Sequence, residues 1–465
     1  MKKLCELIKC NYDVLIKDIN TDSRMVKKGS LFVATCGYNV DHYDFINKAV
    51  DNGAVAVVAD KFIDIDVPLV IVENIDDELV SICKKFYDVS IDDFNFIGIT
   101  GTDGKTTTSS IVKQILNPSN KTAYIGTNGV EFDGHNFSTN NTTPCIEELY
   151  RNFEKIKNNE CKTISMEVSS EALLHKRVDS LKFDIVGFTN ITEDHLNIHK
   201  TVDNYIDCKK HLIDLLKDDG VLIFNGDDIN CKELKYNNMY TYGFNNDNDF
   251  VILNVNNRKE YASFDISFNG FIYKIKSPLT GNYNVYNVTL AFAICLMYKL
   301  DYITIIDRIS KLNFVPGRRE FLNYGQEFDI VLDYAHTYNG IKNLISSFTQ
   351  YNHIILVTGA AGGREKEKRK LIGKYILENV DFAIFTMDDP RFENPTDIIN
   401  DMLFTTNLNN YKIIIDRKNA IKCSFDLAKK GDLVLIIGKG RDNYMAIHDK
   451  KIKYSDYETI KKYFK

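Results

Sequence analysis

Several things are missing from this chain. It has ten cysteines in 465 residues but no C-x-x-C pair, so the thiols read as reduced and scattered, not as a disulfide frame or a zinc site. It has no long basic run and its net charge is −6, so no nucleic acid partner is expected. Its most apolar segment, "VTLAFAICLMY" from Val288, is too short to span a bilayer, and no membrane insertion is expected. The opening "MKKLCELIKCNYDVLI" has lysines without a sustained apolar core, so no signal peptide is expected either. Internal repeats and low-complexity tracts are also absent. These gaps point to a cytoplasmic protein, expected to act as a monomer.

What is there is an ordinary globular composition, 44% hydrophobic and 26% charged. The length is too great for one core. The expectation is an α/β fold of three domains: a small N-terminal α/β domain over 1–90, a central P-loop-type parallel-sheet ATPase domain over 91–316, and a C-terminal Rossmann-like domain over 317–465. In the first block, short apolar runs such as "GAVAVVAD" alternate with helical patterns such as "HYDFINKAVDNG". In the second, "KTISMEV", "FDIVGFTNI" and "GVLIFN" read as strands. "VPGRRE" from Val315 carries the Pro-Gly of a break. In the third, "FDIVLDYA", "HIILVTGAAGG", "FAIFTM" and "DLVLIIGKG" are strands ending in loops, where open parallel sheets place ligands.

The chemistry begins at "GITGTDGKTTTSSIV" from Gly98. An apolar run precedes it and a helical pattern with polar N-cap types follows. Gly101 and Gly104 let backbone N–H groups turn onto phosphate oxygens, and the helix N-terminus adds partial positive charge. Lys105 would reach the β- and γ-phosphates, and Thr106 would place a hydroxyl on Mg²⁺. Ile99 stands where the usual phosphate-loop pattern wants glycine. Alone, the loop implies a nucleotide phosphate and nothing more.

Downstream, "NTTP", "MEVSSEALLHKRV", "FTNITEDHLNIH", "YIDCKKHLI", "LTGNYNVYN", "VPGRRE", "LDYAHT", "TGAAGGREKEKR", "DDPRFENP" and "GKGRDNY" follow in order. In that order they resemble the Mur ligases, the ATP-dependent amide-forming enzymes of peptidoglycan precursor synthesis. The likeness is greatest to the members that add the third residue to UDP-N-acetylmuramoyl-L-alanyl-D-glutamate. It covers nearly the whole chain. The first block, with Asp22, Ser23, Arg24, Gly29 and Gly37, looks like that family's uridine-nucleotide domain.

The resemblance implies roles. Gly101, Thr102, Asp103, Gly104, Lys105, Thr106 and Thr107 would hold ATP phosphates, and Asn284, Arg319 and Asp333 its nucleoside. Thr106, Glu167, His195 and Lys209 would hold Mg²⁺, with Lys105, Lys209 and His195 as the catalytic set. A protonated lysine repels Mg²⁺; in this family the matching lysine carries a CO₂ adduct, so Lys209 is expected as a carbamate, which needs a neutral amine. The spacing from Tyr205 selects Lys209 over Lys210. Ser23, Thr142, Thr143, Ser169 and Arg177 would bind the UDP-substrate, and Arg364, Asp388, Asp389, Pro390, Arg391, Gly438 and Asp442 the amino acid. The implied reaction passes the γ-phosphoryl of ATP to the substrate's carboxylate; the amine of the amino acid then displaces phosphate.

The chain departs from the family pattern at Asp103, Glu171, Tyr338, Asn339, Asp389, Arg441 and Asp442. Several of these lie in the amino-acid pocket. The arginines favour meso-diaminopimelate, because a guanidinium fork suits a second carboxylate. Asp389 leaves L-lysine open as the alternative, since it could receive an ammonium or pair with Arg391. A non-catalytic nucleotide-binding paralogue is the rival reading.

Overall fold

The structure is a computed structural model. It describes residues 1–35, 42–404 and 408–465. Gly37 and Cys36 lie outside the described residues. Each block builds its own sheet, and short β-branched runs supply the strands.

The first block has a four-stranded parallel sheet ordered Asp18–Asn20, Ser30–Val33, Ala54–Ala59, Leu69–Ile71. The helix Ile75–Tyr87 starts at Asn74, whose side chain accepts from Asp76 and Asp77 N–H. It buries Leu79, Ile82 and Cys83.

The central block has an eleven-stranded sheet. Its parallel heart runs Thr122–Gly126, Thr163–Glu167, Asn95–Thr100, Phe183–Phe188, Leu216–Asn225, Met239–Gly243 and Phe250–Asn257. Antiparallel strands extend both edges: Gly129–Phe132 and His135–Phe137 on one side, Ala262–Phe268 and Phe271–Ser277 on the other. The sequence reading did not single out these edges, because their alternating pattern is that of any half-exposed hairpin. The apolar segment from Val288 lies in the helix Asn282–Met297, where Val288, Leu290, Ala291, Phe292, Ala293 and Ile294 are all fully buried. A helix apolar all round belongs in a core. Its close fit against the sheet shows at Gly187, where an added Cβ would stand 3.2 Å from the Ile294 side chain.

The third block has a six-stranded sheet ordered Glu320–Leu322, Asp329–Asp333, Leu433–Ile437, Ile354–Thr358, Phe382–Phe385, Tyr411–Ile413. All neighbours are parallel except the first pair. Asp333, Thr358, Phe385 and Ile437 therefore end at one edge, and their loops share one face. From the reach of the three sheets we propose 1–90, 91–316 and 317–465 as the domains. The linker between the second and third turns at Gly317, with φ +70° and an added Cβ 2.8 Å from the Arg441 backbone nitrogen. Glu320 accepts from Gly317 N–H at 2.8 Å and from the Arg441 guanidinium, whose Nε lies 2.8 Å away.

Truncating Ile294 to alanine should destabilise the central domain by about 2–4 kcal/mol. Urea denaturation followed by a central-domain probe reads this as a lowered midpoint with little change of slope. A loss under ~1 kcal/mol would mean the helix contributes little to the core.

Candidate functional site

The phosphate loop joins the strand Asn95–Thr100 to the helix Lys105–Asn120. Gly101 has φ +146°, and a Cβ there would collide with Thr189 Oγ1 at 1.9 Å, so the turn requires glycine. Gly104 caps the helix in the left-handed conformation. Thr102 N–H donates to Asn190 O at 2.8 Å, and Asp103 N–H donates to Asn190 Oδ1 at 3.0 Å. Thr107 is buried behind the loop. Lys105 Nζ folds back onto the carbonyls of Gly101 at 2.9 Å and Thr102 at 2.8 Å. Burial pulls its pKa down, against the raising influence of Glu167, Asp103 and Asp194.

Glu167 ends its strand with a fully buried side chain. Its carboxylate accepts from Thr106 Oγ1 at 2.9 Å, Tyr124 OH at 2.5 Å and Thr127 N–H at 2.8 Å. The backbone carbonyl of the same residue accepts from Thr143 Oγ1 at 2.8 Å. That hydroxyl in turn accepts from Ser169 N–H at 3.0 Å. Arg177 Nη1 donates to Thr143 O at 3.1 Å, and Thr142 Oγ1 lies 3.2 Å from Thr127 Oγ1. One chain of contacts thus runs from the phosphate loop to Thr142, Thr143, Ser169 and Arg177. Ser23 sits in the first block, in a turn held near by Thr21 Oγ1, which donates to Glu147 Oε1 at 2.7 Å.

Lys209 and Tyr205 lie one helical turn apart on Val202–Asp214 and are both buried. Lys209 Nζ donates to the Gly101 carbonyl at 2.8 Å. Burial, reinforced by the nearby charge of Lys105, pushes its pKa well down. Lys210 instead points outward to Asp207 at 3.6 Å and Glu233 at 3.5 Å. His195 takes a left-handed backbone at φ 55° and opens the short helix Leu196–His199. Burial, with Arg364, Lys105 and Lys209 close by, lowers its pKa to about 3 despite Asp194, so the imidazole is neutral.

The fit to Mg²⁺ can be judged from these donors. Among the described residues no three His, Cys, Asp or Glu side chains converge on a metal position. Magnesium keeps several waters and takes phosphate oxygens, so one carboxylate and one hydroxyl suffice on the protein side. Glu167 and Thr106, already 2.9 Å apart, fit that requirement. Neutral His195 fits a ligand role. Lys209 fits only as an anion, and its pKa is pushed down, the direction that CO₂ addition needs.

The third block reaches into this site. Arg318 Nη2 donates to Thr106 Oγ1 at 3.0 Å. Thr337 Oγ1 donates to Asp103, 3.1 Å away. Arg364 Nη1 lies 3.1 Å from His195 Nδ1, so this side chain meets the central block and not the carboxylates of its own. Arg319, with φ 45°, turns the other way: its N–H donates to Asp333 Oδ2 at 2.6 Å and its Nε to Thr280 Oγ1 at 3.0 Å. Asn284 Nδ2 donates to Thr280 O at 2.9 Å, so Asn284, Arg319 and Asp333 do form one group.

Asp388, Asp389 and Asp442 gather around Lys439. Its Nζ lies 2.8 Å from Asp389, 3.5 Å from Asp442 and 3.8 Å from Asp388. Gly438 N–H donates to Asp333 O. Pro390 turns the chain toward Arg391, whose N–H donates to Ala446 O at 3.0 Å. Arg391 is not the partner of Asp389; Lys439 is. Sequence reasoning passed over both Lys439 and Arg318. The signals were there: a lysine between two glycines at a strand end, and a second arginine in "VPGRRE".

Family models match along the chain: "Mur ligase family, catalytic domain" over 15–91, "Mur ligase middle domain" over 99–295 and "Mur ligase, glutamate ligase domain" over 317–440. A relative from Bacillus licheniformis named UDP-N-acetylmuramoyl-L-alanyl-D-glutamate--2,6-diaminopimelate ligase is 36% identical over 459 residues, covering 96% of this chain and 94% of its own. The chain belongs to the Mur ligase family. A relative of the same name from Clostridium acetobutylicum, marked 1, is 35% identical over 471 residues, covering 99% and 97%. A solved structure of a diaminopimelate ligase of this name superposes with TM-score 0.64 at 25% identity, covering 100% of this chain and 98% of that one. The MurF ligase of Thermotoga maritima in complex with ADP has TM-score 0.68 at 20% identity, covering 92% and 95%; it shows the shared fold.

Burial, with Asp389 and Asp388 nearby, raises Asp442 to about 6, against the attraction of Lys439. A raised carboxylate favours the folded state while protonated, and that contribution is lost as pH rises through about 6. Asp442→Asn should therefore stabilise the third domain by roughly 1–3 kcal/mol near neutral pH and by little near pH ~4. Thermal unfolding at both pH values measures it; an equal effect at both would remove the electrostatic reading.

Proposed function

We propose that the chain is an ATP-dependent ligase that joins meso-diaminopimelate to the D-glutamate carboxylate of UDP-N-acetylmuramoyl-L-alanyl-D-glutamate, in peptidoglycan precursor synthesis. The observation that carries this reading is Glu167, which holds Thr106 of the phosphate loop by its side chain and Thr143 by its backbone. That arrangement would set a bound triphosphate beside the residues expected to hold the substrate's carboxylate. The names of the relatives agree with it.

A carboxylate is a poor electrophile. Transfer of the γ-phosphoryl of ATP to it yields an acyl phosphate and ADP, and the amine then displaces phosphate and loses a proton. Lys105 and Arg318 bring positive charge to the transferred group. Thr106 and Glu167 would hold Mg²⁺, which supplies charge neutralisation on phosphate oxygens when bound. Lys209 as a neutral amine takes up CO₂, releases a proton and becomes an anion that with His195 would hold a second Mg²⁺. Arg318, Thr337 and Arg364 reach the central domain from the third; such contacts exclude water that would hydrolyse an acyl phosphate. We propose a cytoplasmic location and a monomeric state; the described cysteines are all free, and no helix among the described residues is long and apolar enough to cross a membrane.

The test is ADP release that depends on both the UDP-muramoyl dipeptide and the amino acid. ADP release without either would favour a plain ATPase, and none at all a non-catalytic paralogue. Lys105→Ala should cut turnover at least about a hundredfold while the UDP-substrate still binds; near-normal ligation would refute the loop's role.

Lys209→Ala should lose activity and regain part of it with added formate or acetate, which supply the missing carboxylate. Lys210→Ala should do little. Equal loss at both lysines would sink the carbamate reading.

A further inference from the structure

The acidic cluster of the third domain contains a charge that its own lysine has already answered. Lys439 is 1% exposed, too buried to serve as a surface cation. Asp389 Oδ1 accepts from Lys439 Nζ at 2.8 Å and from Ala446 N–H at 2.9 Å. The carboxylates of Asp388, Asp389 and Asp442 keep Lys439 protonated, overcoming the burial that works against its charge. The other nearby cation is committed elsewhere: Arg417 forks onto Asp456 at 2.9 and 2.8 Å, and its Nη1 stands 3.9 Å from Asp388. Among the described residues Asp442 has one ion-pair partner, Lys439 at 3.5 Å, and is paired more weakly than Asp389; Asp388 stands between Lys439 and Arg417, 3.8 and 3.9 Å away. Arg391 is anchored through its backbone between Ala446 and His448. Among the described residues its guanidinium makes no ion pair.

We propose that Lys439 is a specificity-determining positioning residue: as the internal counter-ion of Asp389 it withdraws that carboxylate from substrate recognition and keeps Arg391 free for a carboxylate of the incoming amino acid. This rests on the ligase reading above. The pocket then offers one available acid, Asp442, and one available cation, Arg391. That pair matches a far end, away from the reacting amine, that carries both an ammonium and a carboxylate, as in diaminopimelate; the far end of lysine carries the ammonium alone. With Lys439 uncharged, Asp389 becomes a bare carboxylate next to Arg391. It pairs with that arginine or receives lysine's ammonium, and both outcomes favour lysine.

The experiment measures kcat/KM for meso-diaminopimelate and for L-lysine in the full-length wild type, Lys439→Met, Asp389→Asn and the double variant. The quantity read is the ratio of the two values. Lys439→Met should lower the diaminopimelate-to-lysine ratio at least about tenfold. Asp389→Asn alone should change both substrates together, keeping the ratio within about threefold. The double variant, which removes one charge of each sign, should return the ratio to within about threefold of wild type. A merely structural lysine would lower both rates without moving the ratio, and restoring the fold would not restore selectivity. The inference is overturned if Lys439→Met leaves the ratio unchanged, or if the double variant keeps the altered ratio. It is also overturned if Asp389→Asn alone shifts the ratio about tenfold toward diaminopimelate, because Asp389 would then already be selecting lysine. Should Lys439→Met not fold, the charge-neutral double variant and Lys439→Arg decide: the wild-type ratio in both supports the counter-ion, and a shifted ratio in either refutes it. A wild type that joins neither amino acid brings down the ligase reading and this inference together. A wild type that joins diaminopimelate with ratios that do not move brings down the inference alone.

Discussion

One backbone oxygen, the carbonyl of Gly101, accepts from two lysines, Lys105 at 2.9 Å and Lys209 at 2.8 Å. Two ammonium groups sharing one acceptor oxygen repel each other, and the repulsion is felt more strongly away from bulk water. Burial, reinforced by the charge of Lys105, pushes the Lys209 pKa well down. The arrangement exists because the turn is glycine: a side chain at position 101 would strike Thr189. The carbonyl could not then face both lysines, and the strand, the loop and the helix Val202–Asp214 would lose their common point. The cation at the loop and the lowered pKa of Lys209 both trace to one backbone geometry.

Much of this was legible in the sequence, for identifiable reasons. The loop between Thr100 and Lys105 announces itself because only glycines and a helix start tolerate such a turn. The spacing of Tyr205 and Lys209 puts both on one helical face, and the structure buries that face while Lys210 stays outside. The apolar stretch from Val288 was read as too short for a bilayer, and it fills the core of the central domain. The edge hairpins over 250–277 were less legible, since nothing in their alternation says which sheet they extend.

Side-chain direction was the harder part. Arg318 and Arg319 are neighbours of identical type, and no periodicity distinguishes them. The positive φ of Arg319 sends one guanidinium to Thr106 and the other to Thr280. Asp389 and Arg391 are close in sequence and read as a natural pair, yet Lys439, fifty residues on along the chain, takes the carboxylate. Long-range ion pairs of this kind depend on which strand ends share a face, and that order, with Leu433–Ile437 between Asp329–Asp333 and Ile354–Thr358, is not written in any local pattern. Arg364 shows the same limit: its neighbours are charged and solvated, but its own guanidinium crosses to another domain.

The linker at Gly317 lies against the backbone of Arg441, and Glu320 grips both. Arg441 adjoins Asp442, one of the three carboxylates gathered around Lys439. The carboxylate cluster and the linker turn are therefore tied together through Glu320. A rotation at Gly317 would carry the whole cluster as one piece, and the same rotation would lift Arg318 from Thr106. One turn thus links the position of the cluster to the cation on the loop.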